Sequence, residues 1–162
     1  MKKNILYAVC FGFIVGAGAV LKLYEAQMKE RNNKEAKLNQ TIRIQTRWLA
    51  AHQNNYTFHG YFQKNNLRHI AVYGYGILGE RLVNELVNSK DEVKCVIDKR
   101  KIKSMYPFPF ITPNMDMQEI DVIVLTIIQY PKSMIKELSD KYNCKVISLE
   151  DIFNWYDMQG EL

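Results

Sequence analysis

From residue 69 onward, short apolar runs alternate with segments whose apolar residues recur every three or four positions. The runs at 69–73 (HIAVY), 93–97 (VKCVI), 121–126 (DVIVLT) and 145–148 (KVIS) predict buried strands. Residues 77–88 and 131–142 have helical periodicity, and 149–155 predict a closing helical turn. The proline-rich segment 107–111 predicts at best a short edge strand. Alternating strands and helices indicate an α/β fold, a Rossmann-like parallel sheet of about five strands in the order 3-2-1-4-5.

The first part of the chain has a different pattern. Asn4 to Leu21 form 18 consecutive uncharged residues, near the lower limit for a transmembrane helix. A cleaved signal peptide would use 17–19 (AGA) as its small-residue site. The apolar run continues through that site, and lysine and Tyr24 follow where a membrane interface would lie, which favours an uncleaved transmembrane helix. We therefore predict a membrane anchor at residues 1–24.

Residues 25–66 predict a basic helical stalk between this anchor and the domain. Leu38, Ile42, Gln45 and Leu49 recur on one side of a helix, with Trp48 beside them, and we expect this apolar end to dock on the domain. Asparagines at 54–55 break the pattern, and 57–62 predict a short helix that stops at 65–66. The Rossmann-like nucleotide-binding domain is then predicted at 67–155 and a tail at 156–162.

The net charge of +5 is unevenly placed along the sequence. Residues 22–68 hold nine Lys and Arg against three Glu, whereas residues 69–162 hold eleven against fourteen acidic residues. Positive charge beside an apolar segment suits an anionic leaflet, whereas a nucleic-acid binder would carry its basic face on the folded domain. The basic flank after Leu21 outnumbers Lys2 and Lys3, which predicts a single-pass protein with its domain on the cytoplasmic side of the cell membrane.

A second feature of the apolar run concerns self-association. Ala8, Gly12 and Gly16 recur every four residues, and such small-residue faces allow two helices to approach closely. Together with the apolar side of the stalk, this pattern predicts a homodimer as one of the partners.

The segment AVYGYGILGERLVNEL, from Ala71 to Leu86, contains glycines at G-x-G-x-x-G spacing between a predicted strand and a predicted helix. Gly74 would permit the tight turn, Gly76 the close approach of a pyrophosphate, and Gly79 the packing of helix on strand. Asp98 lies 19 residues beyond Gly79 at the end of the next strand, near the position of a ribose-binding carboxylate. The alternative is a nucleotide fold that kept its turn without a ligand. The candidate site comprises Gly74, Tyr75, Gly76, Ile77, Leu78, Gly79, Asp98, Lys99, Arg100 and Thr126.

The cofactor is either NAD(P) or a nucleotide sugar. Asp98 would bind a ribose diol, whereas Lys99, Arg100 and Lys101 could meet an extra phosphate. Tyr130 lacks the lysine four positions on that short-chain reductases use, and Gln129 and Tyr130 could reach a ligand after the fourth strand. No cysteine–histidine spacing indicates a metal site, and Cys10, Cys95 and Cys144 are typical of free thiols. Catalytic residues are not identified by these patterns.

Residues 42–153 also resemble a known domain, through the residues WL at 48–49, YF at 61–62, the glycine segment, VIDKR at 96–100, DVIVLT and VISLEDIF. They resemble the Rossmann-like nucleotide-binding domain of bacterial capsule and cell-surface polysaccharide biosynthesis proteins, which is often fused to glycosyltransferases. More distantly, they are similar to the N-terminal domain of sialic-acid-type sugar O-acyltransferases. This resemblance implies a membrane-anchored accessory protein that binds a nucleotide sugar or an NAD-type cofactor and works with a glycosyltransferase or another polysaccharide-assembly partner. The alternatives are an NAD(P)-dependent oxidoreductase or epimerase acting on nucleotide sugars, and a ligand-free interaction module.

Overall fold

The computed structural model describes residues 2–89, 91–117 and 119–160; for residues 2–17 and 19 the description covers the backbone alone. The chain divides into two compact units, of which the first ends at Asn39 and the second begins at Gln40. The second unit therefore starts well before residue 67, where the sequence pattern places the domain. The predicted tail also differs, because Tyr156 is buried within a helix that ends at Met158.

The second unit is built on a five-stranded parallel sheet. Its strands are β1 (His69–Tyr73), β2 (Glu92–Ile97), β3 (Phe110–Ile111), β4 (Val122–Leu125) and β5 (Lys145–Ser148). Their order is β3-β2-β1-β4-β5, and every neighbouring pair is parallel. The predicted fold class and strand order are confirmed, and the proline-rich segment contributes the two-residue edge strand β3.

Capping residues mark the ends of several helices. They are α1 (Lys2–Gln53), α2 (Phe58–Lys64), α3 (Ile77–Val87), α4 (Ser133–Tyr142) and α5 (Leu149–Met158). After α1, Asn55 adopts the left-handed φ of 61°, and Asn143 does the same after α4 with φ of 48°. The hydroxyl of Ser148 accepts the N–H of Asp151 while the Asp151 carboxylate accepts the N–H of Ser148, and this capping box begins α5, which continues three residues beyond the predicted helical turn at 149–155.

Alternate side chains of the strands form two cores, one on each face of the sheet. On one face, residues such as Val72, Val96 and Val124 pack against α3, α5 and the C-terminal part of α1. On the other face, residues such as Tyr73, Ile97 and Leu125 pack against α4. The period of two along a strand places these sets on opposite faces.

The connection from β2 to β3 has no helix. Instead, Ser104, Tyr106, Phe108 and Phe110 are half-buried while the residues between them are exposed, as in an extended segment with one inward face. The rings of Tyr106 and Phe108 are stacked with centroids 5.1 Å apart, and these aromatic residues pack on the core that contains α3. They cover the surface that a crossover helix covers in longer α/β proteins.

The C-terminal part of α1 docks through a different side from the one predicted. Ile44, Trp48 and Ala51 are buried, whereas Ile42 and Leu49 are 52% and 60% exposed. Docking of this helix end is therefore confirmed, but the face formed by Leu38, Ile42, Gln45 and Leu49 is not the docking face. The aromatic partners decide the outcome, because Trp48 meets Phe58 edge-to-face with ring centroids 4.6 Å apart and also contacts Phe153.

Glu85 of α3 holds the helices of this face together. Its carboxylate accepts the indole N–H of Trp48 at 2.9 Å and the backbone N–H of Phe58, the first residue of α2, at 3.0 Å. The imidazole Nε2 of His52 lies 2.9 Å from the same carboxylate. One side chain on α3 thus fixes α1 and α2 at the same time.

Among the described residues, no helix is both long and apolar enough to cross a membrane. The sequence predicts a transmembrane helix at Asn4 to Leu21 and a small-residue face at Ala8, Gly12 and Gly16. Within this run the structure describes more than the backbone only for Gly18, Val20 and Leu21, so both predictions concern side chains outside the described ones.

Docking through Trp48 can be tested against its neighbour Leu49. We expect Trp48→Ala to lower the free energy of unfolding by about 3 to 5 kcal/mol, because it empties an aromatic core position and leaves Glu85 with one fewer donor. Leu49→Ala should change it by less than about 0.5 kcal/mol, since the side chain is exposed. Urea denaturation followed by circular dichroism measures both. Equal losses in the two variants would contradict the observed docking face.

Candidate functional site

The glycine-containing turn connects β1 to α3 at the carboxyl edge of the sheet. The two neighbours of β1 are β2 and β4, so the turn lies where the strand order reverses direction. Ligands of open α/β sheets bind in the crevice at this position. The turn consists of Gly74, Tyr75 and Gly76, and Gly79 follows in the first turn of α3.

Gly74 makes the turn possible. Its φ is +97°, a conformation that side chains with a Cβ rarely adopt, and its N–H donates to the carbonyl oxygen of Ile97 at 2.8 Å. A methyl group at this position would also lie 2.4 Å from Cγ2 of Ile127. The predicted structural role of Gly74 is therefore observed.

Gly79 lets α3 approach the turn. A methyl group on Gly79 would lie 1.9 Å from the carbonyl oxygen of Gly74 and 2.9 Å from Oγ1 of Thr126. Because real Cβ atoms do not approach backbone so closely, only glycine allows the observed distance between helix and strand. This agrees with the predicted packing role.

Gly76 differs from the other two glycines. It caps α3 with φ of −99° and ψ of −163°, which any residue can adopt, and a methyl group there would have no neighbour within 4 Å. Gly76 supplies no side-chain cap to the first N–H groups of α3, which, as at any helix start, have no intrahelical acceptor. The fold does not require glycine here, and the space that its missing side chain leaves open lies at a positive helix end.

Asp98 follows β2 and binds the turn itself. Its Oδ2 accepts the backbone N–H of Tyr75 at 2.7 Å and Nη2 of Arg100 at 3.1 Å. Its Oδ1 accepts the backbone N–H of Arg100 at 2.8 Å and its Nε at 3.0 Å. The same guanidinium donates to the carbonyl oxygen of Tyr75 at 2.6 Å. Burial would raise the pKa of Asp98, but the hydrogen bonds from Arg100 and Tyr75 and the charge of the guanidinium outweigh it and lower this pKa to about 2.

These contacts occupy the acceptor capacity of Asp98. A carboxylate offers about four lone-pair positions, and four donors from Tyr75 and Arg100 already fill them. A ribose diol could bond to Asp98 only after the Arg100 side chain, 64% exposed, had moved away. The sequence places both residues at the site; their mutual pairing is visible only in the structure.

Thr126 ties β4 to the turn. Its buried hydroxyl lies 3.0 Å from the carbonyl oxygen of Tyr73 and 2.5 Å from that of Gly74. A hydroxyl has one proton to donate, and both of these acceptors are backbone carbonyls. Thr126 therefore acts as a support of the glycine turn and not as a group that reaches outward.

Of the remaining predicted site residues, some are exposed and others are buried or partly buried. Ile77 is 64% exposed beside the open helix end, Lys99 is exposed, and Leu78 is buried in the core. The ring of Tyr75 packs edge-to-face on Phe110 with centroids 4.7 Å apart. Burial, together with the hydroxyl of Tyr106, raises the pKa of Tyr75 above its ordinary value.

A cavity of about 770 Å³ lies beside the turn, at the carboxyl ends of β4 and β5. Thr126 and Ile127 line it, and both also lie against Gly74, so the cavity adjoins the β4 side of the turn. Gln129 and Tyr130, which the sequence places after the fourth strand, also line it. The lining residues that the sequence analysis missed include Gln40, Ile44, Lys132, Lys136, Ser139 and Ser148.

Comparison with protein families, with curated proteins and with solved structures finds no match for this chain. The resemblance to polysaccharide biosynthesis domains therefore stays a prediction from the sequence.

Other potentially reactive side chains, the histidines and cysteines, lie away from the turn, pair with a carboxylate or are poor nucleophiles. His69 begins β1 at the amino edge of the sheet, and His59 pairs with Asp91 at 2.9 Å. Burial raises the pKa of Cys95 to about 12 and that of Cys144 to about 11, so neither thiol is a ready nucleophile at neutral pH. Among the described residues there is no group of three His, Cys, Asp or Glu that could hold a metal.

The unequal roles of the glycines predict unequal costs of substitution. We expect Gly79→Ala to lower the free energy of unfolding by at least about 1 to 3 kcal/mol, because the methyl group would overlap the Gly74 carbonyl oxygen. Gly76→Ala should cost at most about 1 kcal/mol, the difference between glycine and alanine as a helix cap. Urea denaturation of both variants measures this difference, and similar costs would contradict it.

The low pKa of Asp98 predicts a pH dependence of stability. Relative to an ordinary pKa of 3.8, the lowered value stabilises the folded state only where Asp98 is ionised. We expect Asp98→Asn to cost about 2 kcal/mol at pH 7. This difference from wild type should shrink as the pH falls from about 4 to about 2, because over this range the unfolded wild type takes up a proton that the folded wild type does not yet bind. Urea denaturation across this range measures it, and a constant difference would show that the carboxylate charge is not what stabilises the turn.

Proposed function

We propose that the glycine turn binds the diphosphate of a nucleotide ligand. The observation that carries this proposal is Gly76: its backbone conformation and its surroundings would accept a side chain, yet the residue is glycine, which leaves open space and no side-chain cap at the beginning of α3. Backbone N–H donors and the positive end of an 11-residue helix are what a phosphate group needs.

The cavity on the β4 side of the turn supports a nucleotide sugar. Asp98 has its acceptor positions filled by Arg100 and Tyr75, so the β2 side offers no free carboxylate oxygen to the ribose of a nucleotide sugar or of NAD. The β4 side has an open cavity large enough for a sugar. NADP remains a second candidate cofactor for one reason: the exposed guanidinium of Arg100 could turn from Asp98 to a 2′-phosphate.

In its cellular setting, we propose that the protein is an accessory subunit of bacterial surface polysaccharide biosynthesis that binds a nucleotide sugar for a glycosyltransferase or a related partner. The resemblance of residues 42–153 supports this role. The apolar run from Asn4 to Leu21 and the lysines after it support attachment at the cytoplasmic side of the cell membrane. A binding role suits the site, because its donors come from the backbone and its one carboxylate is engaged in holding the turn.

Binding can be measured by calorimetry of the full-length protein against UDP, UDP-glucose, NAD and NADP. We expect UDP and UDP-glucose to bind, and Gly76→Val to weaken both by at least about tenfold, since the added side chain takes the place of phosphate oxygens. Gly18→Val is the matched control, because a side chain on Gly18 also has no neighbour within 4 Å.

The other outcomes select among the alternatives. Binding of NADP that is lost in Arg100→Ala, with no binding of UDP-glucose, would favour the oxidoreductase. A folded protein that binds none of the four ligands would overturn the proposal in favour of a ligand-free interaction module.

A further inference from the structure

The cavity beside the glycine turn has an uneven distribution of charge. Its floor is apolar and includes Leu125, Ile127 and Leu149, whereas one wall is the first two turns of α4. Lys132 and Lys136 stand on this wall one helical turn apart, and both line the cavity. Like charges at this spacing repel each other weakly within a helix, and an anion beside the two exposed ammonium groups would relieve this repulsion.

The two lysines are not neutralised by carboxylates that the structure describes. Neither Lys132 nor Lys136 lies within 4 Å of a carboxylate oxygen there, although other surface lysines, such as Lys34 and Lys94, form ion pairs. Two acidic residues also line the cavity. Glu150 is engaged by the guanidinium of Arg43, and Asp140 lies one turn beyond Lys136 without an ion pair to it. The α4 side of the cavity therefore carries two ammonium groups and one carboxylate, with no ion pair among them in the part of the chain that the structure describes.

The end of α4 adds to this positive character. Lys132 occupies the cap position in a helical conformation and provides no side-chain cap, so the first N–H groups of the ten-residue helix have no side-chain acceptor at that position. Gln129, which lines the cavity before α4, has a left-handed φ of 61°, unusual for glutamine. The amide of Gln129 and the hydroxyl of Tyr130 are hydrogen-bonding groups suited to a polyhydroxylated ligand.

We infer that this cavity takes an acidic sugar, whose carboxylate is bound by Lys132 and Lys136 while its hydroxyl groups face Gln129 and Tyr130. This inference rests on the proposed function, because it assigns the β4 side of the same site to the sugar of the nucleotide sugar. The phosphates would lie at the open end of α3 and the sugar in the cavity, and Ile127 both borders Gly74 of the turn and lines the cavity. The substrate class is then a nucleotide-activated uronic acid or a similar carboxylated sugar.

Two ligands that differ at one position test this inference. UDP-glucose and UDP-glucuronate differ only in whether carbon 6 of the sugar is a hydroxymethyl group or a carboxylate. We expect the full-length protein to bind UDP-glucuronate about tenfold more tightly, as two partly exposed ion pairs allow. The double variant Lys132→Gln, Lys136→Gln should lose this preference and keep its affinity for UDP-glucose. Lys145→Gln is the matched control, since Lys145 lies at the amino end of β5, whereas the cavity lies at its carboxyl end.

A second measurement separates this inference from the nucleotide proposal. Saturation-transfer NMR with free glucuronate and free glucose at millimolar concentration probes the cavity alone. A signal from glucuronate that the double variant abolishes would support the acidic-sugar site even if UDP does not bind, in which case the proposed function fails by itself. Equal binding of UDP-glucose and UDP-glucuronate would overturn the inference while leaving the proposed function intact. A preference for UDP-glucuronate that survives in the double variant would also overturn the inference. If none of these probes binds, the inference and the proposed function are both overturned.

Discussion

The contact on which this structure depends is the one between Gly79, the carbonyl oxygen of Gly74 and the hydroxyl of Thr126. Here helix α3, the end of β1 and the end of β4 meet with no room for one additional carbon atom. The Thr126 hydroxyl, held against the carbonyls of Tyr73 and Gly74, completes the junction. Because α3 begins at this point, its distance from the sheet and the direction of its first N–H groups are set by the same contact.

The position of α3 in turn organises the helical layer. Glu85 lies two turns along α3 from Leu78, and its carboxylate joins Trp48, His52 and the beginning of α2. A partly buried carboxylate that accepts several donors at once gives each donor a defined position and would be costly to leave unpaired. The polar network therefore gives specificity to an interface whose stability comes mainly from aromatic packing of Trp48, Phe58 and Phe153.

The two sides of the glycine turn are chemically different. On the β2 side, Asp98 and Arg100 satisfy each other and hold the Tyr75 backbone from both its N–H and its carbonyl. This pairing stabilises the turn and reduces what that side can offer to a ligand. On the β4 side, Ile127 lines a cavity whose other lining residues include apolar side chains and the lysines Lys132 and Lys136 of the α4 region. A ligand that extends from the beginning of α3 toward β4 would reach the cavity and its two lysines. A ligand that extends toward β2 would first have to displace the Arg100 side chain from Asp98.

The sequence by itself determined the strands, their order, the glycine turn and the position of Asp98 after β2, because these features follow from short-range periodicity and from the steric demands of single residues. It could not determine which face of α1 docks. Leu38, Ile42 and Leu49 form the more regular apolar stripe, yet Ile44, Trp48 and Ala51 are buried, since the complementary rings lie on α2 and α5, far away in the chain. The pairing of Asp98 with Arg100 and the cavity between β4, α4 and α5 were likewise decided only by tertiary structure. Both depend on where separate elements meet in space, and that geometry is set by packing across the whole sheet.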